Sequence, residues 1–448
     1  MIRTLALMIL SFGMAMPILA DDVAVTVYNQ NLALVKEGRS LDFQKGVNRL
    51  NLTDVAAAID PTSVHFRLRG TNDKIELLEQ NYQYDLVSTD KILHKYLGNT
   101  VDVIMKNGDV LNVKYLSSSS GYIVLQLADG AIRMINDKEM VSVTAPKLPE
   151  GLIVVPTLEW LLSSDVAGKR DVEVSYLTNG INWHAEYIAL IDENDKNLRL
   201  SGWVSLDNQS GKSYKDAKLK LVAGDINKIQ PPAMPRYDKA MAMEVAPSTG
   251  FEEKTFFEYH MYTLGHPTTV ADNETKQVSL FEPASTPVKK IYRYNAVEGA
   301  KDVNVVMSFK NSEQNGLGMP LPAGKIRMTK LDTDGSQEFL GEDKIDHTPK
   351  DEELELKVGN AFDIVGETAT VDSKRISDRV REQTMEVKLR NHKKEDVSIA
   401  VRYNLWGDWQ ILESNFNYIK KNVHQVEFTV PAGKDTEAVL RFRVRLSG

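Results

Sequence analysis

Regular alternation of apolar and polar residues, broken by tight turns, constrains this chain more than any other feature. The alternation is clearest in residues 175–225, where strand-like segments cover 181–191, 198–206 and 217–222. Because the side chains of a strand point alternately to its two faces, this pattern predicts an antiparallel sandwich sheet with one buried face. We expect Trp183 and Trp203, which each lie within an alternating strand, to fill the space between two sheets.

Similar patterns recur along the chain and predict an all-β protein with several linked antiparallel β-sandwich-like domains and little helix. A short helix at 90–96, capped by Ser88-Thr89, is predicted before five strands that resemble small barrels of the SH3-like and Sm-like kind. One or two helical turns are predicted at 156–162, and Gly38 is predicted to separate two short strands.

These patterns divide the chain into seven predicted segments. They are a signal peptide (1–20), an N-terminal β-domain (21–88), a small β-barrel insertion (89–146), a central β-sandwich sheet (147–228), a flexible linker rich in Pro, Met and Ala (229–252), a second β-region (253–366) and a C-terminal β-sandwich (367–448).

The first twenty residues have the composition of a secretory signal peptide. Arg3 precedes an apolar run that is too short to span a bilayer of roughly 30 Å, and Ala20 suits cleavage. We therefore expect a periplasmic or secreted protein after cleavage near Ala20, with no later transmembrane segment. The chain contains no cysteine. An exported protein of this kind must be stabilised by burial, without disulfides.

The charge pattern argues against several classes of partner and cofactor. The net charge is −8, with acidic and basic residues well mixed, so neither nucleic acid nor an anionic lipid surface is an expected partner. Gly211-Lys212-Ser213 resembles the end of a phosphate-binding loop, but Leu206 stands where that motif needs glycine and a strand pattern follows. The segment is predicted to be a turn, and no cofactor is predicted.

No catalytic or metal-binding motif is present in full. His260 and His266 are the nearest histidine pair, with Glu258 and Asp272 nearby, but a spacing of six fits no standard zinc signature and surface histidines are expected. There is no nucleophile elbow and no thiol. A pair of glycosidase-type carboxylates stays open, because such a pair is recognised by its separation in space.

Two tryptophans near the C-terminus are candidate surface aromatics. Trp406 and Trp409 flank the turn-like Gly407-Asp408, and either a core position or a sugar-stacking surface is compatible with that pattern.

Several stretches resemble the domain of unknown function 4139 family. They are YLTNGINWHAEY and LRLSGWVSLDNQSGKSYKDAKLKLVAGD within 176–225, and the later LPAGKIRM, GEDKIDHTPKDEELELKVGNAFDI and LRNHKKEDV. Within the first two, the structural signature is Trp183, Trp203, Asn208, Gly211, Gly224 and Asp225. The segments VTVYNQNLALVKEGRSLDF and IDPTSVHF resemble the N-terminal region of mucoidy-inhibitor-type proteins, which carry a long coiled coil where this chain has its small β-unit. The resemblance implies an envelope-associated, β-rich protein and supplies no catalytic residues.

The sequence predicts a non-enzymatic binding or envelope-assembly protein. The expected partner is another envelope protein or a glycan, bound at a sheet edge or a loop face. One alternative is a hydrolase that acts on a carbohydrate or a peptide with scattered carboxylates, so enzymatic activity stays open. A second alternative is a secreted structural or surface-coat protein. The oligomeric state is not predicted.

Overall fold

The computed structural model describes residues 22–119, 121–224, 251–256 and 259–447. Within these ranges the chain forms thirty β-strands, a single α-helix and three short 3-10 helices at Pro61–Ser63, Asp137–Glu139 and Glu313–Asn315. The prediction of an all-β, multi-sheet protein with little helix is confirmed. The signal peptide predicted at 1–20 and nearly all of the linker predicted at 229–252 lie outside the described residues.

The elements up to residue 223 fall into three groups. The first comprises β1 (Asp22–Tyr28), β2 (Leu32–Phe43), β3 (Gly46–Leu52), β4 (His65–Leu68) and β5 (Ile75–Gln83). The second comprises helix α1 (Thr89–Lys95) and strands β6 (Thr100–Met105), β7 (Val110–Ser119), β8 (Tyr122–Gln126), β9 (Ile132–Asn136) and β10 (Met140–Thr144). The third comprises β11 (Thr157–Ser164), β12 (Gly168–Thr178), β13 (Ile181–Ile191), β14 (Asn197–Asn208) and β15 (Tyr214–Ala223).

The strands after residue 250 form two further groups. The first comprises β16 (Phe251–Phe256), β17 (Tyr259–Leu264), β18 (Thr268–Val270), β19 (Glu274–Pro287), β20 (Lys289–Asn295), β21 (Asp302–Lys310), β22 (Gly324–Leu331) and β23 (Gln337–Ile345). The second comprises β24 (Glu353–Arg375), β25 (Val380–Asn391), β26 (Val397–Asn404), β27 (Asp408–Ser414), β28 (Tyr418–Asn422), β29 (Gln425–Ala432) and β30 (Thr436–Ser447).

Two sheets pack face to face around the largest core. One has the order β16-β17-β15-β1-β2-β12-β4, with β18 paired to β15, and the other has the order β19-β14-β13-β22-β23. Neighbouring strands are antiparallel except for the parallel pairs β1–β15 and β13–β22. A three-stranded sheet, β3-β11-β5, adds Trp160 to the same core. Strands from the predicted segments 21–88 and 147–228 therefore share one sheet and one core.

The segment between β5 and β11 forms a small unit with its own core. Ser88 caps α1, because its hydroxyl accepts a hydrogen bond from the backbone N–H of Lys91, and the helix begins one residue earlier than predicted. The five strands form a sheet with the order β10-β6-β7-β8-β9 around buried residues that include Val103 and Tyr115. No ladder among the described residues joins β9 to β10, so this sheet is not closed by strand pairing.

The last part of the chain forms a nine-stranded sheet with the order β27-β30-β25-β24-β21-β20-β26-β29-β28. The sheet folds over its own core, since Phe428 of β29 packs on Phe442 of β30 with 4.6 Å between ring centroids. The predicted division between 366 and 367 lies within β24, which pairs first with β21 and then with β25. Strands of the predicted second β-region are therefore continuous with the C-terminal sheet.

Two local predictions are wrong. All but the first residue of the segment 156–162 belong to strand β11, whose alternating residues Leu158, Trp160 and Leu162 are buried, so its period is that of a strand. Gly38 does not separate two strands, because β2 continues through it and pairs with β1 and β12. The charged neighbours of Gly38, Glu37 and Arg39, lie on the buried face of β2.

Candidate binding surface

The two tryptophans of residues 175–225 lie on opposite faces of the five-stranded sheet. Trp183 of β13 is buried, and its Nε1 donates a hydrogen bond of 3.2 Å to the carbonyl of Val222. Trp203 of β14 is partly exposed and faces away from the core, so the expectation that it fills the core is wrong. The residues that set the buried face of β14 are Leu198, Leu200, Gly202, Val204 and Leu206, and Trp203 is out of phase with them.

The segment 208–213, here called the Asn208 turn, is organised by one buried amide. Asn208 Nδ2 donates to the carbonyls of Lys212 at 2.8 Å, Val270 at 3.2 Å and Ala271 at 3.0 Å. Its Oδ1 accepts hydrogen bonds from the backbone N–H and the hydroxyl of Ser210. Strand β15 follows directly, so the segment is a turn and lacks the helix that a phosphate-binding loop requires.

Two glycines of the signature occupy positions that other residues fill poorly. Gly211 has φ +79°, and a Cβ there would lie 2.5 Å from the Cβ of Ala57. Gly224 has φ +126°, and a Cβ there would lie 2.6 Å from the Tyr259 ring. Positive φ and close approach both favour glycine. Asp225, the last signature residue, lies outside the described residues.

Glu37, Arg39, Lys212 and Tyr176 form a group that we call the buried charge cluster. Glu37 accepts hydrogen bonds from Arg39 Nη2 at 2.5 Å and from Tyr176 Oη at 3.1 Å, and Lys212 Nζ lies 2.7 Å from its Oε1. Arg39 and Lys212 both also donate to the carbonyl of Asp54. The cluster therefore joins β2, the loop after β3 and the Asn208 turn.

The electrostatics of the buried charge cluster indicate a structural role. Burial acts to raise the pKa of Glu37, but Lys212 and Arg39 outweigh burial and hold that pKa below its ordinary value. Burial raises the pKa of Tyr176 well above its usual range. All four side chains are buried, so a substrate in solvent does not reach the group.

The carboxyl groups with displaced pKa values bear on the hydrolase alternative. A general acid in such an enzyme needs a raised pKa. Among the described residues, every carboxyl with a displaced pKa is displaced downward: Asp22, Glu37, Asp73, Glu173, Asp192, Asp195, Glu313, Asp334 and Glu355. At Glu355, burial acts to raise the pKa, and hydrogen bonds from Arg293 and Arg402 outweigh it. Most of these carboxyls are in ion pairs, whereas at Asp192 and Asp334 the pKa is lowered mainly by hydrogen bonds from neighbouring groups.

The histidine pair does not form a metal site with described residues. His260 lies on β17 and His266 lies in the turn before β18. Within the described ranges, no three His, Asp or Glu side chains are grouped so that they could hold a metal ion. Glu258, the third residue considered with this pair, lies outside those ranges.

Trp406, Trp409, Tyr418 and His424 lie on the edge strands β27 and β28 of the nine-stranded sheet or within two residues of them, and we call this region the aromatic end. Trp406 is 76% exposed, and its ring lies 5.3 Å from that of His424 with 33° between the planes. Trp409 is half-buried, and its Nε1 donates a 2.7 Å hydrogen bond to the carbonyl of Val423. The two positions left open by the sequence therefore differ, since Trp406 lies at the surface and Trp409 bridges the two edge strands.

The residues that flank Trp406 lie close to other segments of the chain. Gly407, at φ +72°, turns the chain directly after Trp406, and a Cβ there would lie 2.9 Å from the carbonyl oxygen of Ser447. The backbone N–H of Leu405 donates a 2.8 Å hydrogen bond to the carbonyl of His424. The backbone on either side of Trp406 therefore lies close to the turn after β28 and to the end of β30.

The imidazole of His424 lies beside the exposed indole, and amide side chains occur within two residues of Trp406 or His424 in the sequence. Gln425 Nε2 donates a 2.8 Å hydrogen bond to Oδ1 of Asn404, two residues before Trp406. Asn422 Oδ1 accepts the backbone N–H of His424 at 2.8 Å. A flat aromatic ring beside amides combines a stacking face with planar hydrogen-bonding groups, which is a chemistry suited to sugar rings.

The edge strand at the aromatic end carries both apolar and basic side chains. All five residues of β28 are exposed, including Tyr418 and Ile419. Lys420 lies over the Trp409 ring, with 4.7 Å from Nζ to the ring centroid, and Lys421 follows it. The ladder with β29 is irregular between Lys420 and Asn422. Lysines and irregular pairing both oppose the addition of a further strand at a sheet edge.

Comparison with known proteins gives no assignment. No family model matches the chain, and no curated protein matches it. Among the described residues, no helix is long and apolar enough to cross a lipid bilayer.

Proposed function

We propose that this chain is an exported, non-enzymatic binding protein of the cell envelope that holds a glycan at the aromatic end. The observation that carries the proposal is Trp406, which is 76% exposed and whose ring lies 5.3 Å from that of His424. The export pattern of residues 1–20 and the resemblance to the domain of unknown function 4139 family support an envelope location. The protein is then a binding module that presents an exposed aromatic surface at a sheet end.

A glycan fits the aromatic end better than a protein strand does. Trp406 offers a flat apolar face, and the paired amides of Asn404 and Gln425 lie next in sequence to the segments that carry Trp406 and His424. Strand addition would need the free edge of β28, where Lys420 and Lys421 oppose pairing.

The proposal is tested with a panel of soluble oligosaccharides that includes tetramers of N-acetylhexosamine and of β-linked glucose. Trp406→Ala is expected to weaken the best binder about tenfold, because an aromatic stack contributes about 1 kcal/mol or more. Isothermal titration calorimetry measures the change. Tyr84→Ala is the matched control, since Tyr84 is also strongly exposed but lies in the N-terminal part of the chain.

Three outcomes decide between partners. Binding that Trp406→Ala weakens and Tyr84→Ala leaves unchanged supports the glycan. If no oligosaccharide binds, but crosslinking in intact cells captures an envelope protein that Trp406→Ala loses, the surface binds protein. Release of reducing ends from any oligosaccharide would support the hydrolase alternative and contradict a non-enzymatic role.

A further inference from the structure

A cleft of about 280 Å³ lies at the junction of the five-stranded and nine-stranded sheets. One side is formed by the ends of β13 and β22 and by the turn after β13, and the other by β20, β21 and β24. Its apolar lining includes Ile191, Val305, Met307, Leu340, Val358 and Phe362. Its size is near the lower end of the range for small-molecule sites, which also tend to lie between packed units.

Three lysines and one aspartate are the charged residues of this cleft. Asp195 accepts hydrogen bonds from Lys290 Nζ at 2.8 Å and from Lys330 Nζ at 2.5 Å. Lys290 and Lys393 both lie over the Tyr292 ring, at 5.6 Å and 5.7 Å from its centroid. With three positive charges and one negative charge, the lining has a formal charge of +2, although the whole chain is at −8. The cleft lining is therefore positively charged, although the protein as a whole is negatively charged.

Lys393 has the least neutralised charge of the three. Its nearest carboxylate is that of Glu395, at 4.0 Å, and that side chain is mostly exposed. Asp195, by contrast, stays ionised between its two lysines: burial acts to raise its pKa, and the hydrogen bonds from Lys290 and Lys330 outweigh burial and lower it. Asp195 thus aligns two ammonium groups, and Lys393 adds a third.

A distortion of β24 places an aromatic ring at the mouth of the cleft. Asp302 pairs with Val365 and Asn304 pairs with Asn360, so β24 has three more residues than β21 between these pairs. The bulge contains Phe362, whose side chain is 96% exposed although it lines the cleft. Bulges re-aim side chains and are frequent beside functional sites. A fully exposed phenylalanine over an open cleft lacks the apolar contact that an occupant would supply.

We propose that this cleft binds an anionic amphiphile, with a phosphate monoester head group at the three lysines and an apolar chain against Val305, Met307 and Phe362. A phosphate monoester carries a charge of about −1.5 to −2 at pH 7, which matches the +2 of the lining. Lysine ammonium groups bind phosphate as point charges. The proposal is independent of the aromatic end, whose residues do not line the cleft.

Gly359 gives a direct way to close the cleft. It lines the cleft on β24, its φ is not in the left-handed region, and nothing lies within 4 Å of a Cβ built on it. A side chain at this position would occupy the open space without backbone strain. Gly359→Leu is therefore a blocking variant, and Lys393→Met removes one charge with an isosteric apolar chain.

The probe is octyl phosphate below its critical micelle concentration, titrated into the full chain by calorimetry. Wild type is expected to bind it, and Gly359→Leu is expected to weaken binding more than tenfold. Lys393→Met should weaken it about five- to tenfold and reduce the salt dependence. Inorganic phosphate, which lacks the chain, and octyl glucoside, which lacks the charge, should each bind at least tenfold more weakly. Lys388→Met, a lysine on β25 outside the cleft, is the matched control and should leave binding unchanged.

Vesicles of phosphatidylcholine with and without phosphatidic acid separate a bilayer lipid from a free amphiphile. Octyl phosphate binding that both cleft variants weaken supports the proposal, and cosedimentation with phosphatidic acid that the same variants abolish assigns the source to a bilayer. The proposal is overturned if octyl phosphate does not bind, if the cleft variants bind as wild type does, or if octyl glucoside binds equally well. If Gly359→Leu melts well below wild type, the octyl phosphate affinities of Lys393→Met and Lys388→Met are compared instead. Weaker binding by Lys393→Met alone then supports the proposal, and equal binding by the two variants overturns it.

Discussion

The Asn208 turn and the segment 391–396, here called the Asn391 turn, share the same hydrogen-bond pattern around a buried asparagine, although they belong to different sheets. In each turn a buried asparagine ends a strand, and its Nδ2 donates to the carbonyl of the residue four positions on and to two carbonyls of another loop. In each, the Oδ1 accepts the backbone N–H of the residue two positions on, Ser210 or Lys393. The two turns differ in the position of their lysine.

Lys212 of the Asn208 turn points into the core, and Lys393 of the Asn391 turn lies at the cleft. The Lys212 side chain is 5% exposed and lies 2.7 Å from Glu37, whereas Lys393 is 26% exposed and 4.0 Å from its nearest carboxylate. Each Nζ lies about equally far from an aromatic ring, 5.8 Å for Tyr214 and 5.7 Å for Tyr292. The difference is therefore the buried acid on β2. In the Asn208 turn, the lysine faces a buried acid and forms a structural ion pair. In the Asn391 turn, no buried acid among the described residues faces the lysine, and its charge is available to a ligand.

The largest expected effect is at that acid. Glu37→Gln should lower the free energy of unfolding by about 3–5 kcal/mol, because it removes the carboxylate partner of the buried Arg39 and leaves Lys212 paired with Asp54 alone, 3.1 Å away. Urea denaturation followed by fluorescence measures the change. Glu413→Gln removes the acid of an exposed pair with Arg443 and should cost less than about 1 kcal/mol. Equal costs for the two substitutions would show that the buried charge cluster does not hold the sandwich.

The asparagines themselves should have intermediate effects. Asn208→Ala and Asn391→Ala should each cost about 2–3 kcal/mol, because buried carbonyls lose their donor. Denaturation of the double variants distinguishes the turns. The cost of Asn208→Ala should be non-additive with that of Glu37→Gln, since the first positions Lys212, and the cost of Asn391→Ala should be additive with it. Additivity in both pairs would mean that the Asn208 turn does not support the buried charge cluster.

The strands of both turns could be predicted from the sequence, but the difference between the turns could not. Alternation predicted the strands before Asn208 and Asn391, and the cap at Ser88 predicted helix α1. Glu37 and Arg39, beside Gly38, resembled a turn, because charged residues rarely occupy a buried face unless a distant partner neutralises them. That partner, Lys212, is far away in the chain, and no local pattern indicates the pairing.

The alternation of apolar residues along β14 could have corrected the prediction that Trp203 fills the core. Leu198, Leu200, Val204 and Leu206 define the buried face of β14, and Trp203 lies between them. Gly202 occupies a core position because Phe281 fills its space, where a Cβ would meet the ring at 2.3 Å.

The cleft lined by Lys290, Lys330 and Lys393 could not be predicted from the sequence. Its lining comes from several strands and from a bulge in β24, so its residues are brought together only by the packing of two sheets.

Acidification should reduce the stability that the buried charge cluster at the Asn208 turn contributes, and should not affect the Asn391 turn in this way. The pKa of Glu37 is held below its ordinary value, so the cluster stabilises the protein above the unfolded-state pKa, about 4.5, and this stability is lost as pH falls through the lower folded-state pKa. The difference in unfolding free energy between wild type and Glu37→Gln should therefore narrow on acidification below about pH 4.5. Urea denaturation at a series of pH values measures it. A constant difference from pH 7 to pH 3 would contradict the assignment of the low pKa to Glu37.

The smallest expected effect on stability is at Lys393. Lys393→Met should change the free energy of unfolding by less than about 0.5 kcal/mol, because the ammonium makes one distant, exposed ion pair and the methionine side chain keeps the contact with Tyr292. It should also leave the acid dependence of wild type intact, since no buried carboxyl depends on it. A lysine whose removal costs little stability, in a turn otherwise built like the Asn208 turn, is free to serve a ligand. Destabilisation by more than about 2 kcal/mol would instead make Lys393 a structural residue like Lys212, and the two turns would then differ only in burial.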